Sequence, residues 1–135
     1  MGLNIDGIHI ATNKNDILHR LISSNFYQRD STQQSLAPSM DISVASNFER
    51  LLYDIFKKNK AKVSESMTNF PLNPINLNND LGSQNWSQIK EFFTSSSSSD
   101  EEIVQTIIES YKDSRMVVDP HTATAINGNK KNTFN

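Results

Sequence analysis

The sequence has no cysteine. Disulfides, thiolate metal sites and cysteine nucleophiles are therefore excluded, and a reducing cytoplasm is the expected location. No apolar run approaches the roughly 18 residues of a membrane span. The start lacks the charged-then-apolar pattern of a secretory signal, and Asp6 stands where a myristoylation site needs Ser or Thr. Charge of one sign is missing too: 13 basic residues face 15 acidic ones, a net charge of -2. Such a balance attracts neither nucleic acid nor an anionic membrane, so neither is an expected partner. The densest basic cluster, Lys57, Lys58, Lys60 and Lys62, reads as a solvated helix end.

The hydrophobic share is 36%, below the usual figure of about 45–50%. In its place stand 16 Asn and 18 Ser. These residues compete for backbone hydrogen bonds and favour caps and turns. A thin core is expected, served by few apolar faces. The length suits one domain.

Gly7–Ala11 alternates like a short strand. Ile17, Leu18, Leu21 and Ile22 then recur at helical spacing, with Asn13 or Asn15 as a candidate cap. Ser23–Ser35 reads as a loop and Met40–Val44 as a second strand. Ser46–Glu49 has the capping-box pattern. It leads into Phe48, Leu51, Leu52, Ile55 and Phe56, an amphipathic helix expected to reach about Lys58.

Val63–Phe70 suits another short helix, and Pro71–Gly82 a loop. Residues 59–85 and 94–99 are expected to be loop-like or flexible, the latter because of its serine run. Trp86, Ile89 and Phe93 share a helical face. Ser99–Glu102 is a second capping box, before the apolar stripe Ile103, Val104, Ile107, Ile108 and Tyr111. Met116–Val118 is a third strand candidate. Asp119–Pro120 pairs an N-cap residue with a proline at the first helical position. Residues 127–135 read as a polar tail after a domain at 1–126.

This alternation argues for an α/β fold, a partial three-layer α/β/α sandwich with few short parallel strands and flanking helices. Parallel strands are normally buried among others, so the pattern reads as a piece of something larger. His9, His19 and His121 do not stand at metal-ligand spacings, and no metal site is expected. His19 is expected on a solvent-facing helix side, and His9 on the strand side away from Ile8 and Ile10. No catalytic residue can be named; serine is too common for a Ser-His-Asp claim to carry content.

Four blocks occur in one order: Met1–Ile5, Ala11–Leu18, Pro38–Ile42 with Ser46–Leu52, and Asp119–Thr122. Together they resemble the C-terminal half of threonine synthase of the bacterial and fungal kind. The resemblance runs from Met1 to about Ile126 and is poor over 59–85 and the serine run. It implies an incomplete piece of the large domain of a fold type II pyridoxal phosphate enzyme. The family's reaction converts O-phospho-L-homoserine and water to L-threonine and phosphate. In that family a lysine in a Phe-Lys-Asp setting forms a Schiff base with the cofactor, which acts as an electron sink. A Ser-Gly-Asn-Phe-Gly loop cradles its phosphate.

Neither motif is in these 135 residues. Phe56-Lys57-Lys58 lacks the following aspartate, and Gly2, Gly7, Gly82 and Gly128 are isolated. The resemblance therefore implies a chain truncated at both ends, catalytically inactive alone and unable to hold pyridoxal phosphate stably. The alternatives are the C-terminal half of a split enzyme, completed by a separately encoded N-terminal chain, or a non-catalytic interaction module. By resemblance, Thr122 is the hydroxyl that faces the pyridine nitrogen, with His121 beside it as the second cofactor-binding candidate. The competing reading is an ordinary capped helix start. The Asn13–Asp16 turn is either a helix cap or part of a ligand site at a strand's C-terminal end.

Overall fold

The computed structural model describes residues 4–132. Residues 1–3 of the first block and 133–135 of the expected tail lie outside them. Along the chain come β1 (Ile8–Thr12), α1 (Ile17–Ser24), β2 (Phe26–Tyr27), a 3-10 turn (Pro38–Met40) and α2 (Phe48–Ile55). There follow α3 (Lys60–Asn69), β3 (Ile75–Asn76), α4 (Leu77–Leu81), α5 (Ser83–Lys90), β4 (Phe93–Ser97), α6 (Asp100–Ser114) and α7 (Pro120–Lys131).

β1 and β4 pair in parallel, from Ile8 opposite Phe93 to Thr12 opposite Ser97. Helices flank both faces. On one side His19 of α1 brings Nδ1 within 2.9 Å of Ser95 Oγ. On the other, His9 Nδ1 lies 2.6 Å from Thr94 Oγ1 and Nε2 lies 2.9 Å from Ser96 Oγ, beneath Gly128 of α7. The expected α/β arrangement of parallel strands flanked by helices is thus present. β2 and β3 form a separate antiparallel pair.

The apolar core lies on the α1 side. Ile17, Leu21 and Ile22 pack with Tyr27, Phe48, Leu52, Phe70, Leu77 and Trp86. Tyr27 is fully buried, with ring centroids 4.2 Å from Phe48 and 4.6 Å from Phe70. Its hydroxyl accepts from the Ala45 amide at 2.8 Å, and burial pushes the phenol up from its ordinary pKa. Asn25 ends α1 in the left-handed conformation, φ 68°. Its side-chain oxygen accepts from Trp86 Nε1 at 2.9 Å, which satisfies the buried indole.

Several elements differ from the sequence reading. Ser95–Ser97 of the serine run are not a flexible connector but part of strand β4, and Ser98, which follows it, is 1% exposed. Serine is a poor strand former; here the hydroxyls find partners in His9, His19, Asn127 and the Asn13 carbonyl. Met40–Val44 is no strand, because the Asp41 carboxylate is drawn back into its own loop. The Ser46–Glu49 box does not form. Backbone carbonyls of Ala45, Ser46 and Asn47 already accept the first-turn amides of α2. That helix stops at Ile55, since Lys57 and Lys58 are left-handed, φ 52° and 63°.

The box at Ser99 does form. Asn59 caps α3, and Asn76 caps α4 inside the expected loop. Among the described residues Met116–Val118 has no strand partner. The polar tail begins instead as the last turns of α7, because its polar groups are matched: Asn127 donates to Ser98 Oγ at 2.9 Å and Lys131 pairs with Glu102 at 2.6 Å. His19 is not a solvent-facing residue, being bonded to Ser95.

Gly128 sets the α7–β1 distance. A Cβ there would stand 2.6 Å from Ala11 Cβ and 3.2 Å from His9 Nε2. Gly128→Val should therefore destabilise the fold by about 1–3 kcal/mol through overpacking. A urea melt followed by circular dichroism measures this; an unchanged midpoint would contradict the packing.

Candidate functional site

In open α/β sheets, ligands bind beyond the carboxyl ends of the strands. β1 ends at Thr12 and β4 at Ser97, so the segments that follow define the place to examine. They are Asn13–Asp16 and Ser98–Asp100. Two further segments reach the same end: the loop 33–41 and the start of α7.

Asn13 organises the cluster. It is fully buried, and its Nδ2 donates to Ser35 Oγ and Asp41 Oδ1, both at 2.7 Å. Asp41 Oδ1 also accepts from Asn15 Nδ2 at 2.9 Å and from Ser35 Oγ at 2.5 Å, while Oδ2 accepts from the Ser35 amide at 2.9 Å. The Asn15 side chain exchanges two bonds with Gln33. Burial opposes ionisation of Asp41, but the Ser35 hydroxyl and amide, the Asn13 amide and the Lys14 charge outweigh it, so its pKa is lowered. Neither Asn13 nor Asn15, the expected candidates, caps α1. The N-cap of α1 is Asp16 and makes no side-chain cap bond; it pairs with Arg20 at 2.9 Å.

Lys14 pairs with Asp100 Oδ2 at 2.7 Å, and Oδ1 accepts from the Leu36 amide at 3.0 Å. The first residue of α6 is thereby fastened to both loops. Hydrogen bonding from Lys14, then from Leu36, lowers the Asp100 pKa.

α7 starts at the same place. Asp119 Oδ1 accepts from the amides of His121 and Thr122 at 2.9 and 3.3 Å, and Oδ2 accepts from Thr122 Oγ1 at 2.6 Å. The Thr122 hydroxyl, then its amide, hold the Asp119 carboxyl far below the usual carboxylate range. His121 Nε2 accepts from the Ser39 amide at 3.2 Å, and Nδ1 lies 3.1 Å from Asp119 Oδ1. An Nε2 that accepts requires the proton on Nδ1, where it can be donated to Asp119.

The structure thus brings His121, Ser39, Asp41 and the Asn13–Asn15 turn together. Thr122 lies exposed at the start of α7, and its hydroxyl is committed as a donor to Asp119. Its remaining lone pairs can accept from a ligand N–H. Sequence reasoning named Asp41 and Ser39 without a contact for either, gave Asn13 only as a helix cap or part of a ligand-site turn, and missed Ser35 and Asp100. The available signal was the pairing of the Asn13–Asp16 and Pro38–Asp41 blocks in one pattern. Among the described residues no group of three or more His, Asp or Glu side chains is placed to hold a metal ion, and no helix is long and apolar enough to cross a membrane. A cavity of about 680 Å³ opens elsewhere, between α2 and α3, lined in part by Arg50, Tyr53, Val63 and Met67.

Asp41→Ala would remove an acceptor from buried Asn13 and from the Ser35 hydroxyl and should cost about 1–3 kcal/mol; thermal or urea melting reads it, and an unchanged midpoint would count against the network. The pH dependence follows from the lowered pKa. A carboxylate depressed in the folded state stabilises above its unfolded pKa and loses that contribution as pH falls through the folded value. Carboxyl-carbon NMR should therefore place the Asp41 midpoint below 3.8, with the 33–41 loop signals broadening over the same range. A midpoint above 3.8 would contradict the geometry.

No family model matches the sequence. Threonine synthase of Pseudomonas aeruginosa is 42% identical over 126 residues, covering 93% of this chain and 26% of that enzyme. Among solved structures, a PLP-bound threonine synthase from Brucella melitensis superposes with a TM-score of 0.89 and 31% identity, over 100% of this chain and 28% of that one. Yeast threonine synthase superposes at 0.82 with 32% identity, over 97% of this chain and 28% of that one. The described elements and the ordered motif blocks make this chain a threonine synthase relative, one that spans about a quarter of the length of the curated relatives it matches.

Proposed function

We propose that these residues form one wall of a threonine-synthase-type site, within a three-layer large domain of fold type II. Thr122 and His121 face the cofactor ring, and the covalent and phosphate-binding groups come from residues outside this sequence. The observation that carries this reading is the convergence of the motif blocks at the strand ends, where Asp119, His121 and Ser39 meet the Asn13–Asp41 network.

The residues present fit one edge of pyridoxal phosphate and not the rest. Thr122 Oγ1 retains acceptor capacity toward a protonated ring nitrogen while donating to Asp119. Among the described residues the phosphate has no cradle. The first amides of α7 are taken by Asp119, and α6 begins with Asp100, Glu101 and Glu102, which repel an anion. Lys14 is occupied by Asp100. When bound, the cofactor would supply the electron sink for carbanion chemistry. This chain's share is to position the ring edge. Alone, it neither bonds the cofactor nor turns over O-phospho-L-homoserine; the missing groups belong to the same polypeptide or to a separately encoded N-terminal chain.

A chimera tests this directly: the matching segment of the Pseudomonas aeruginosa enzyme is replaced by this chain. It should bind pyridoxal phosphate and release phosphate from O-phospho-L-homoserine. Thr122→Val in the chimera should lower kcat about 10–100-fold, the worth of one hydrogen bond to a charged group. A folded, cofactor-bound chimera that releases no phosphate would contradict the reading. So would a stoichiometric, borohydride-trapped lysine adduct on the isolated chain.

A further inference from the structure

Between α6 and α7 the described chain forms no helix or strand. Among the described residues Met116, Val117 and Val118 make no backbone–backbone hydrogen bond, the Met116 amide donating to Ser114 Oγ at 3.4 Å, and Met116 and Val117 are 62% and 79% exposed. Their composition is that of a strand. Beside them α6 carries a second apolar face. Ile103 and Thr106 turn into the fold, whereas Val104, Ile108 and Tyr111 lie outward at i, i+4 and i+7. Ile107, Ile108, Tyr111 and Val117 line a recess of about 440 Å³, with Lys112 as its charged residue. Apolar surface continuous with a segment of strand composition outside both sheets marks a docking seam.

The occupant can be argued. The β1–β4 ladder has two strands, and parallel sheets are normally buried within larger ones. The Brucella melitensis enzyme superposes on the whole of this chain yet extends far beyond it, since the chain covers 28% of its length. Most of the body that surrounds this fold in the relative therefore lies outside these residues. A second copy is a poor fit. A two-fold contact places the same patch on itself, so it would bring two copies of Lys112, and of Arg115 stacked 5.6 Å from the Tyr111 ring, into one small contact.

We infer that Met116–Val118 and the Val104–Ile108–Tyr111 face form the seam on which this unit docks against the remaining threonine-synthase-type body. That body adds a β-strand along 116–118 and sets a carboxylate against Lys112. The inference rests on the proposed function and names its partner. Docking there also fixes Asp119, which follows Val118 directly, and with it the hydrogen bonds that hold His121 and Thr122.

The test is assembly in trans. This chain, tagged, is co-expressed with the part of Pseudomonas aeruginosa threonine synthase that precedes the matching segment. The two should co-purify in equal amounts, and the amides of Val117 and Val118 should exchange at least about tenfold more slowly than in the free chain. Val117→Asp and Ile108→Glu, both at exposed positions, should each abolish co-purification with the circular dichroism spectrum and urea midpoint unchanged. No complex, a complex indifferent to both substitutions, or unprotected amides at 117 and 118 would overturn the inference. A self-dimer of this chain disrupted by the same substitutions would assign the face to a second copy and also overturn it. The chimera joins the parts covalently, so its activity survives failure of docking in trans. A complex that forms beside an inactive chimera would sink the functional reading and leave the seam standing.

Discussion

The Asp41 carboxylate is the point on which the arrangement at the strand ends depends. Asn13 directly follows β1 and is fully buried, and a buried amide without acceptors costs about 1–3 kcal/mol. Asp41 and Ser35 supply those acceptors. Once they do, the 33–41 loop has one position. Leu36 then meets Asp100 at the start of α6, and Ser39 meets His121 at the start of α7. Both helices are oriented by a loop with no regular structure beyond one 3-10 turn.

The same economy runs through the rest of the fold. Apolar side chains fill the α1 side, but the α7 side is closed by small and polar groups: Ala11, Ala123, Thr124, Asn127 and Gly128. Close approach at Gly128 permits His9 to sit over Thr94 and Ser96. Burial, then the His19 charge, lowers the His9 pKa, consistent with a ring enclosed between strand and helix. Among the described residues no buried side-chain nitrogen or oxygen lacks a partner. A chain poor in apolar residues can hold a defined shape this way, provided every polar group is matched.

Much of this was legible in the sequence where local chemistry decides. The stripe Phe48–Leu52, the Ser99 capping box, and Asp119 with Pro120 all appear in the structure. Strand β1 was legible by alternation. What composition hid was decided at long range. Ser95–Ser97 become strand because β1, some 85 positions earlier, supplies the ladder. Met40–Val44 and Met116–Val118 have strand composition but find no neighbouring strand, and pairing, not propensity, makes a strand. At the site, Asp119 could be read from its spacing to Thr122. The Asn13–Asp41 bond, between residues 28 apart, could not.

The central claim is that the strand-end segments form one preassembled wall in this chain alone. Native-state amide exchange on the isolated 135-residue protein tests it most directly. The amides of Asn15, Ser35, Leu36 and Ser39 each donate to a side chain of the cluster. They should be protected and open with a common free energy, alongside Thr122. Random-coil exchange at Ser35–Ser39, with β1 and β4 still protected, would contradict it.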